Sequence, residues 1–235
     1  AADEGAGYPY YFFYIAGYWW VQQNGLEPIL AADRGEAKFA DDQALIDTLK
    51  LYNEIWAKGY MNEDAATSGD SWNKFLQGEV ALFPSVPTFV RDAQDALGEE
   101  NVGAILPPNF SADSKIKDSL IGGPGQSLVV SKSSKNPELA TKFLSFINSK
   151  EEVLKFYETQ TKVPVRKDLT PADLKLQPGS VGDKLFSWSK NYIFWVDNSL
   201  SGPVVDNFTK LLPLVLTGKM TPEDFAAELD KVKGQ

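Results

Sequence analysis

Residues 8–20 read Tyr-Pro-Tyr-Tyr-Phe-Phe-Tyr-Ile-Ala-Gly-Tyr-Trp-Trp and carry no charge. Nine of the chain's 29 aromatic residues fall in its first twenty positions, so the element they form must hold a large share of the core. The run is shorter than the roughly 20 residues a membrane-spanning helix needs. Apolar residues recur on three faces, which predicts a helix over 10–20 with Gly25 as a later stop, against the usual preference of aromatics for strands.

The rest of the composition is that of a globular chain. Apolar residues make up 43% and charged residues 23% of 235, enough for one or two cores of ordinary size. Cysteine and histidine are both absent. Their absence removes disulfides, thiolate and imidazole metal sites, and the Ser-His-Asp and Cys-His nucleophile systems. No cofactor is expected. The net charge is −9 and only Arg34, Arg91 and Arg166 are arginines, which disfavours nucleic acid and gives no attraction to an anionic membrane surface. Neutral or weakly charged small molecules remain. The opening Ala-Ala-Asp has no basic region of the kind that begins a signal peptide, so any export signal lies outside this sequence. The lack of cysteine favours an extracytoplasmic bacterial setting.

Local signals then place the elements. Asp41 or Asp42 can cap a helix whose Leu45, Leu49, Tyr52 and Trp56 share one face, with Gly59 as its stop. A helix is predicted over 71–77, then a short buried strand over 80–83 closed by Pro84 and Pro87. Thr88 is expected to cap a helix ending at Gly98. Strands are predicted over 102–106 and 126–131. Asn136-Pro137 opens a helix that turns Leu139, Phe143 and Phe146 or Ile147 inward. A further helix covers 150–161, and 163–165 is extended. Thr170-Pro171 and Thr221-Pro222 repeat the cap-plus-proline signal. Residues 204–216 form a helix that Pro213 should kink or break, and Phe225, Leu229 and Val232 line the last helix. Helices alternating with short apolar strands give an α/β or α+β class. Phe12, Phe13, Trp56, Phe75 and Phe143 are assigned to the core.

The run Gly122-Gly123-Pro124-Gly125-Gln126-Ser127 lacks the Lys-Ser or Lys-Thr of a phosphate loop, and a strand rather than a helix is predicted to follow it. It is either a tight turn or a place where backbone comes close to a ligand. No acidic cluster has the spacing of a calcium loop, and the acidic doublets have the character of caps and solvated faces. The sequons at Asn109 and Asn207 are coincidental. The positive signal is aromatic. A tyrosine or tryptophan ring offers an apolar face and a polar tip, which matches the C–H patches and hydroxyl rim of a sugar. Tyr8, Tyr10 and Tyr11 around Pro9 suit either a cleft or the core. Trp195, followed by Asp197 and Asn198, is either a stacking ring beside polar acceptors or a half-buried loop anchor.

Several segments together resemble the bacterial extracellular solute-binding proteins (family 1), the carbohydrate receptors of ATP-binding-cassette importers that include maltose-binding protein. They are residues 52–64, the Phe75-Leu-Gln-Gly-Glu-Val-Ala-Leu82 element, residues 102–107, residues 122–144 with Leu-Val-Val-Ser-Lys-Ser-Ser-Lys-Asn-Pro-Glu-Leu-Ala at 128–140, residues 163–168, and Thr217-Gly218-Lys219 with the last helix. The resemblance spans nearly the whole chain. It implies a type II periplasmic-binding-protein-like, two-lobed clamp of α/β class with its ligand between the lobes. Residues 1–119 and 169–235 would belong to the C-terminal lobe and 120–168 would cross to the N-terminal lobe. Members run to about 400 residues, so the chain looks like the C-terminal ~60% of one, lacking about 150 residues ahead of Ala1.

The implied ligand-binding set is Tyr8, Tyr10, Tyr11, Ser85, Gly122, Gly123, Gln126, Trp195, Asp197 and Asn198. One departure touches it. The family's Gly-x-Trp after the Ala-Met element is here Phe83-Pro-Ser-Val-Pro-Thr88, which leaves the stacking subsite near Thr88 in doubt. The implied function is non-enzymatic binding of a mono- or oligosaccharide and its delivery to an import permease, by a monomer in the periplasm or anchored as a cell-surface lipoprotein. The same fold could instead take a polyamine, amino acid or peptide, with Asp197 and Asp206 as acids. A glycosidase would need two suitably separated carboxylates. The fragment reading predicts exposed apolar surface around 125–165, which accessibility in the folded chain tests directly.

Overall fold

The computed structural model describes residues 10–61, 63–64, 69–123, 127–159 and 166–234, with backbone only for 10–14 and 159. Among these residues the helices are α1 (Tyr10–Asn24), α2 (Glu27–Asp33), α3 (Gln43–Ala57), α4 (Ser71–Leu76), α5 (Val90–Leu97), α6 (Pro137–Ile147), α7 (Lys150–Thr159), α8 (Val181–Trp188), α9 (Gly202–Leu216) and α10 (Pro222–Leu229). The strands β1 (Leu120–Gly122) and β2 (Tyr192–Phe194) pair as a two-stranded sheet. The chain divides into two compact units, one of Ala1–Ser85, Leu106–Ile121 and Tyr192–Gln235, the other of Val86–Ile105 and Gly122–Asn191.

The first unit is built around α1. Residues 16–22 are all buried, so this stretch of the helix has no solvent face. Trp20 stacks on Phe208 of α9 at 6.0 Å, and Phe208 meets Phe225 of α10 edge-on at 4.8 Å. Each such ring contributes about 1.5–3 kcal/mol of burial. The polar atoms of α1 are satisfied by other elements. Trp20 Nε1 donates to Asp42 Oδ2 (2.7 Å), and Trp19 Nε1 to the Pro108 carbonyl (2.7 Å). Gln22 donates to Asn109 Oδ1 (2.6 Å) and accepts from the Phe110 amide (2.8 Å). Tyr18 donates to Asn109 and accepts from the Ser119 amide, and burial pushes its phenol up. These bonds hold 108–119 against α1, and they put the Asn109 sequon inside a hydrogen-bonded network.

Carboxylates fix the helix ends. Asp42 Oδ1 accepts from the Ala44 and Leu45 amides at the start of α3, while its other oxygen takes the Trp20 indole. Leu45, Leu49 and Tyr52 are buried as their spacing requires, and Trp56 packs half-buried against the core. Asp33, the last residue of α2, accepts from the Ser201 amide (3.0 Å) and hydroxyl (2.7 Å) at the head of α9. Asp230 accepts from the Phe39 and Ala40 amides. The helix α9 runs through Pro213 without the expected break, and Asn53 of α3 donates to its last carbonyls, Val215 and Leu216, at 3.0 Å each. Thr221 caps α10 as predicted.

In the second unit α5 begins at Val90, and Thr88 lies in a preceding 3-10 turn rather than at the cap. Asn136 and Pro137 open α6 as expected, but Leu139, Phe143 and Phe146 are 66%, 59% and 57% exposed. The core assignment of Phe143 is therefore overturned. Periodicity shows which residues share a face, and covering that face requires a neighbour. Leu128, Val129 and Phe156 are exposed as well, in line with the apolar surface expected over 125–165. The Thr170 capping box closes, with Thr170 and Asp173 bonded in both directions, yet the chain makes turns there instead of a helix. Ser180, which accepts from the Asp183 amide, heads α8, a helix the sequence reading missed along with α2.

The predicted strands at 80–83, 102–106 and 126–131 are not formed over their described residues. Ile105 is exposed, and Leu82 makes only an isolated bridge. An apolar extended segment becomes a strand only when a partner completes the ladder. The reading of 163–165 lies outside the described residues, as do the side chains of Phe12 and Phe13. No described helix is long and apolar enough to cross a membrane.

Two consequences can be measured. Asp42→Ala removes a helix cap and leaves the buried Trp20 N–H unpaired, and it should cost about 2–3 kcal/mol in urea unfolding, with Asp42→Asn costing less. Asp173 is held down to about 2 by its ion pair with Lys150 and its bonds from Thr170. Its contribution is present above its unfolded value and lost as pH falls toward about 2. Asp173→Asn should flatten that part of the acid unfolding curve.

Candidate ligand site

The strand β2 leads into a turn at 195–200. Val196 is fully buried and Leu200 nearly so, and they anchor the turn from below. The Ser199 and Leu200 amides donate to the Val196 carbonyl at 2.9 and 3.1 Å, and Ser199 Oγ donates to the Trp195 carbonyl at 3.1 Å. The bonds from Ser201 to Asp33 fix the exit into α9. The turn is thus held at both ends and within itself.

This turn carries three of the sequence-derived residues. Trp195 is half-buried, and its indole Nε1 is turned away from solvent. Asn198 is exposed. Asp197 is half-buried. Its Oδ1 is sealed from solvent and has no hydrogen-bond partner, while the carboxylate accepts from the Asn198 amide and its own. Burial pushes this carboxyl up, with the backbone bonds opposing the shift. A buried carboxylate oxygen without a partner carries a desolvation cost. Two other buried polar atoms of this unit, Trp56 Nε1 and Ser71 Oγ, also lack partners, but they lie on α3 and α4.

The other expected residues are placed as follows. Ser85 is exposed in the irregular stretch after Leu82, close in sequence to a triangle of half-buried rings formed by Trp72, Phe75 and Phe83, with centroids 5.3–5.8 Å apart. Gly122 closes β1, and Gly123 follows it. Tyr10 and Tyr11 lie in the first turn of α1, where only the backbone is described. Tyr8 and Gln126 lie outside the described residues. The structure therefore gathers Trp195, Asp197 and Asn198 on one turn.

Two residues beside this turn escaped the sequence reading. Along β2, Ile193 packs on the core while Tyr192 and Phe194 face outward, 49% and 48% exposed, with centroids 5.7 Å apart and rings inclined at 65°. The Tyr-Ile-Phe alternation, read as a strand, was the available signal.

The sequence profile of the family described as bacterial extracellular solute-binding protein matches residues 10–178. No curated protein matches the chain in sequence. Among solved structures, one from work on xylan utilisation by Caldanaerobius polysaccharolyticus aligns with a TM-score of 0.79 at 19% identity, covering 98% of this chain and 60% of that one. A chitin oligosaccharide binding protein aligns at 0.78 and 19%, covering 99% and 58%. A sugar transporter from Bacillus licheniformis, in complex with stachyose, aligns at 0.73 and 17%, covering 99% and 60%. The likeness is one of fold, the type II periplasmic-binding-protein-like class, and the chain spans about 60% of the length of these structures.

The carboxyl of Asp197 gives a pH test. With its folded value raised, the native state holds the proton more tightly, so this group's unfavourable contribution grows as pH rises through that value. Asp197→Asn should therefore gain melting temperature relative to wild type at pH 7, and the gain should shrink as pH falls toward 4. A difference that stays constant between those pH values would refute the assignment.

Proposed function

The chain belongs to the bacterial extracellular solute-binding protein family, and on that premise we propose that it binds a carbohydrate and delivers it to an ABC-type import permease. The observation that carries the sugar reading is the stretch from β2 into the turn, where the half-exposed rings of Tyr192 and Phe194 lie close in sequence to the exposed Asn198. Apolar ring faces take the C–H side of a sugar, and fixed acceptors take its hydroxyls. A net charge of −9 disfavours anionic solutes. Solved structures of the same fold are described as a chitin oligosaccharide binding protein and as a sugar transporter in complex with stachyose, which supports the choice of ligand class.

In this reading the protein is a non-enzymatic, monomeric, extracytoplasmic receptor, and binding shifts its open and closed populations. Residues 120–168, which carry the exposed face of α6, are assigned to the N-terminal lobe. Tyr8, Tyr10, Tyr11, Ser85, Gly122, Gly123 and Gln126 remain proposed contacts alongside the turn.

Calorimetry on the full-length protein with xylo-, chito- and malto-oligosaccharides and stachyose tests the proposal. Saturable heat with a Kd of about 10 μM or tighter is expected for at least one series. No sugar-dependent heat or melting shift, together with tight spermidine binding, would replace the carbohydrate by a polyamine.

A further inference from the structure

Strand parity separates the aromatic residues around the turn in a way that their sequence order does not. Ile193 is committed to the core, so the pleat sends Tyr192 and Phe194 to the opposite, open face. Trp195 follows β2 with its indole N–H edge buried, which makes it an anchor of the turn rather than a free ring. Resting on the carbohydrate reading above, we infer that Tyr192 and Phe194 are the stacking rings of the site and that the ligand is an oligosaccharide of at least two residues.

The geometry of the pair sets the ligand class. Rings inclined at 65° cannot both lie flat on one sugar, so each offers its face to a different residue of the ligand. Their 5.7 Å centroid separation lets neighbouring residues of one chain be served. Two half-exposed rings form a patch far smaller than the roughly 800 Å² per partner of a stable protein interface. A lipid surface would require a basic surround, whereas the adjoining turn carries Asp197 in an acidic chain. The occupant assigned is small, neutral and apolar on one face, with hydroxyls for the exposed Asn198 side; burial of Tyr192 and Phe194 by the rest of the full-length chain would overturn the assignment.

The test uses the full-length protein and the tightest sugar series, measuring Kd for the monosaccharide and the trisaccharide. Wild type should bind the trisaccharide at least about tenfold more tightly. Tyr192→Leu and Phe194→Leu keep apolar bulk on an exposed face and should melt within a few degrees of wild type. Each should weaken trisaccharide binding about tenfold, mostly erasing the preference for length. Tyr192→Phe should restore it. Unchanged trisaccharide affinity in both leucine variants would overturn the inference and leave the carbohydrate reading standing. Failure of wild type to bind any sugar would remove that reading and the inference with it.

Discussion

The first unit depends on burying residues 16–22 of α1 on every side. A helix with no solvent face cannot leave a side-chain donor or acceptor unmet without a cost of about 1–3 kcal/mol each. Each indole and amide along 18–23 therefore has to find a partner on another element. Trp20 finds Asp42, Trp19 finds the Pro108 carbonyl, and Gln22 and Tyr18 meet on Asn109. Gln23 reaches the Ala44 carbonyl and Thr48 Oγ1. Apolar contact brings the elements together, while these directional bonds decide their register.

The same economy appears at the helix ends. Asp33, Asp42 and Asp230 each serve backbone amides, and all three tie one element to another. The turn at 195–200 inherits its rigidity from this arrangement, because Asp33 holds the residue that follows it. A site whose positions are set by such secondary contacts loses less freedom when ligand binds. Asp197 departs from this, as Trp56 and Ser71 do: its Oδ1 is buried without a partner.

Much of the helical order was legible in the residues. Asp42, Asn136 and Thr221 mark helix starts where they are seen, and Leu45, Leu49 and Tyr52 share the buried face that their spacing implies. The misses have physical causes. Thr170 and Asp173 close a capping box, but a cap does not supply the packing that would propagate a helix. Residues 80–83 and 102–106 have the apolar content of strands and lack ladders among the described residues. Phe143 sits on the face that periodicity assigns it, and that face is open. Of the site, Trp195, Asp197 and Asn198 were named from sequence, while Tyr192 and Phe194 were passed over.

The sequence by itself determined which residues begin helices, which share a face, and that neither cysteine nor histidine chemistry is available, because these follow from interactions within four residues or from composition alone. Tertiary structure decided which faces are covered, which extended segments are paired, and which ring beside the turn is open. Those outcomes depend on groups distant in the chain, as Asp33 is from Ser201 and Trp20 from Phe208. Alternation placed Tyr192 and Phe194 on one side of β2, and the packing of Ile193 against the core made that side the outer one.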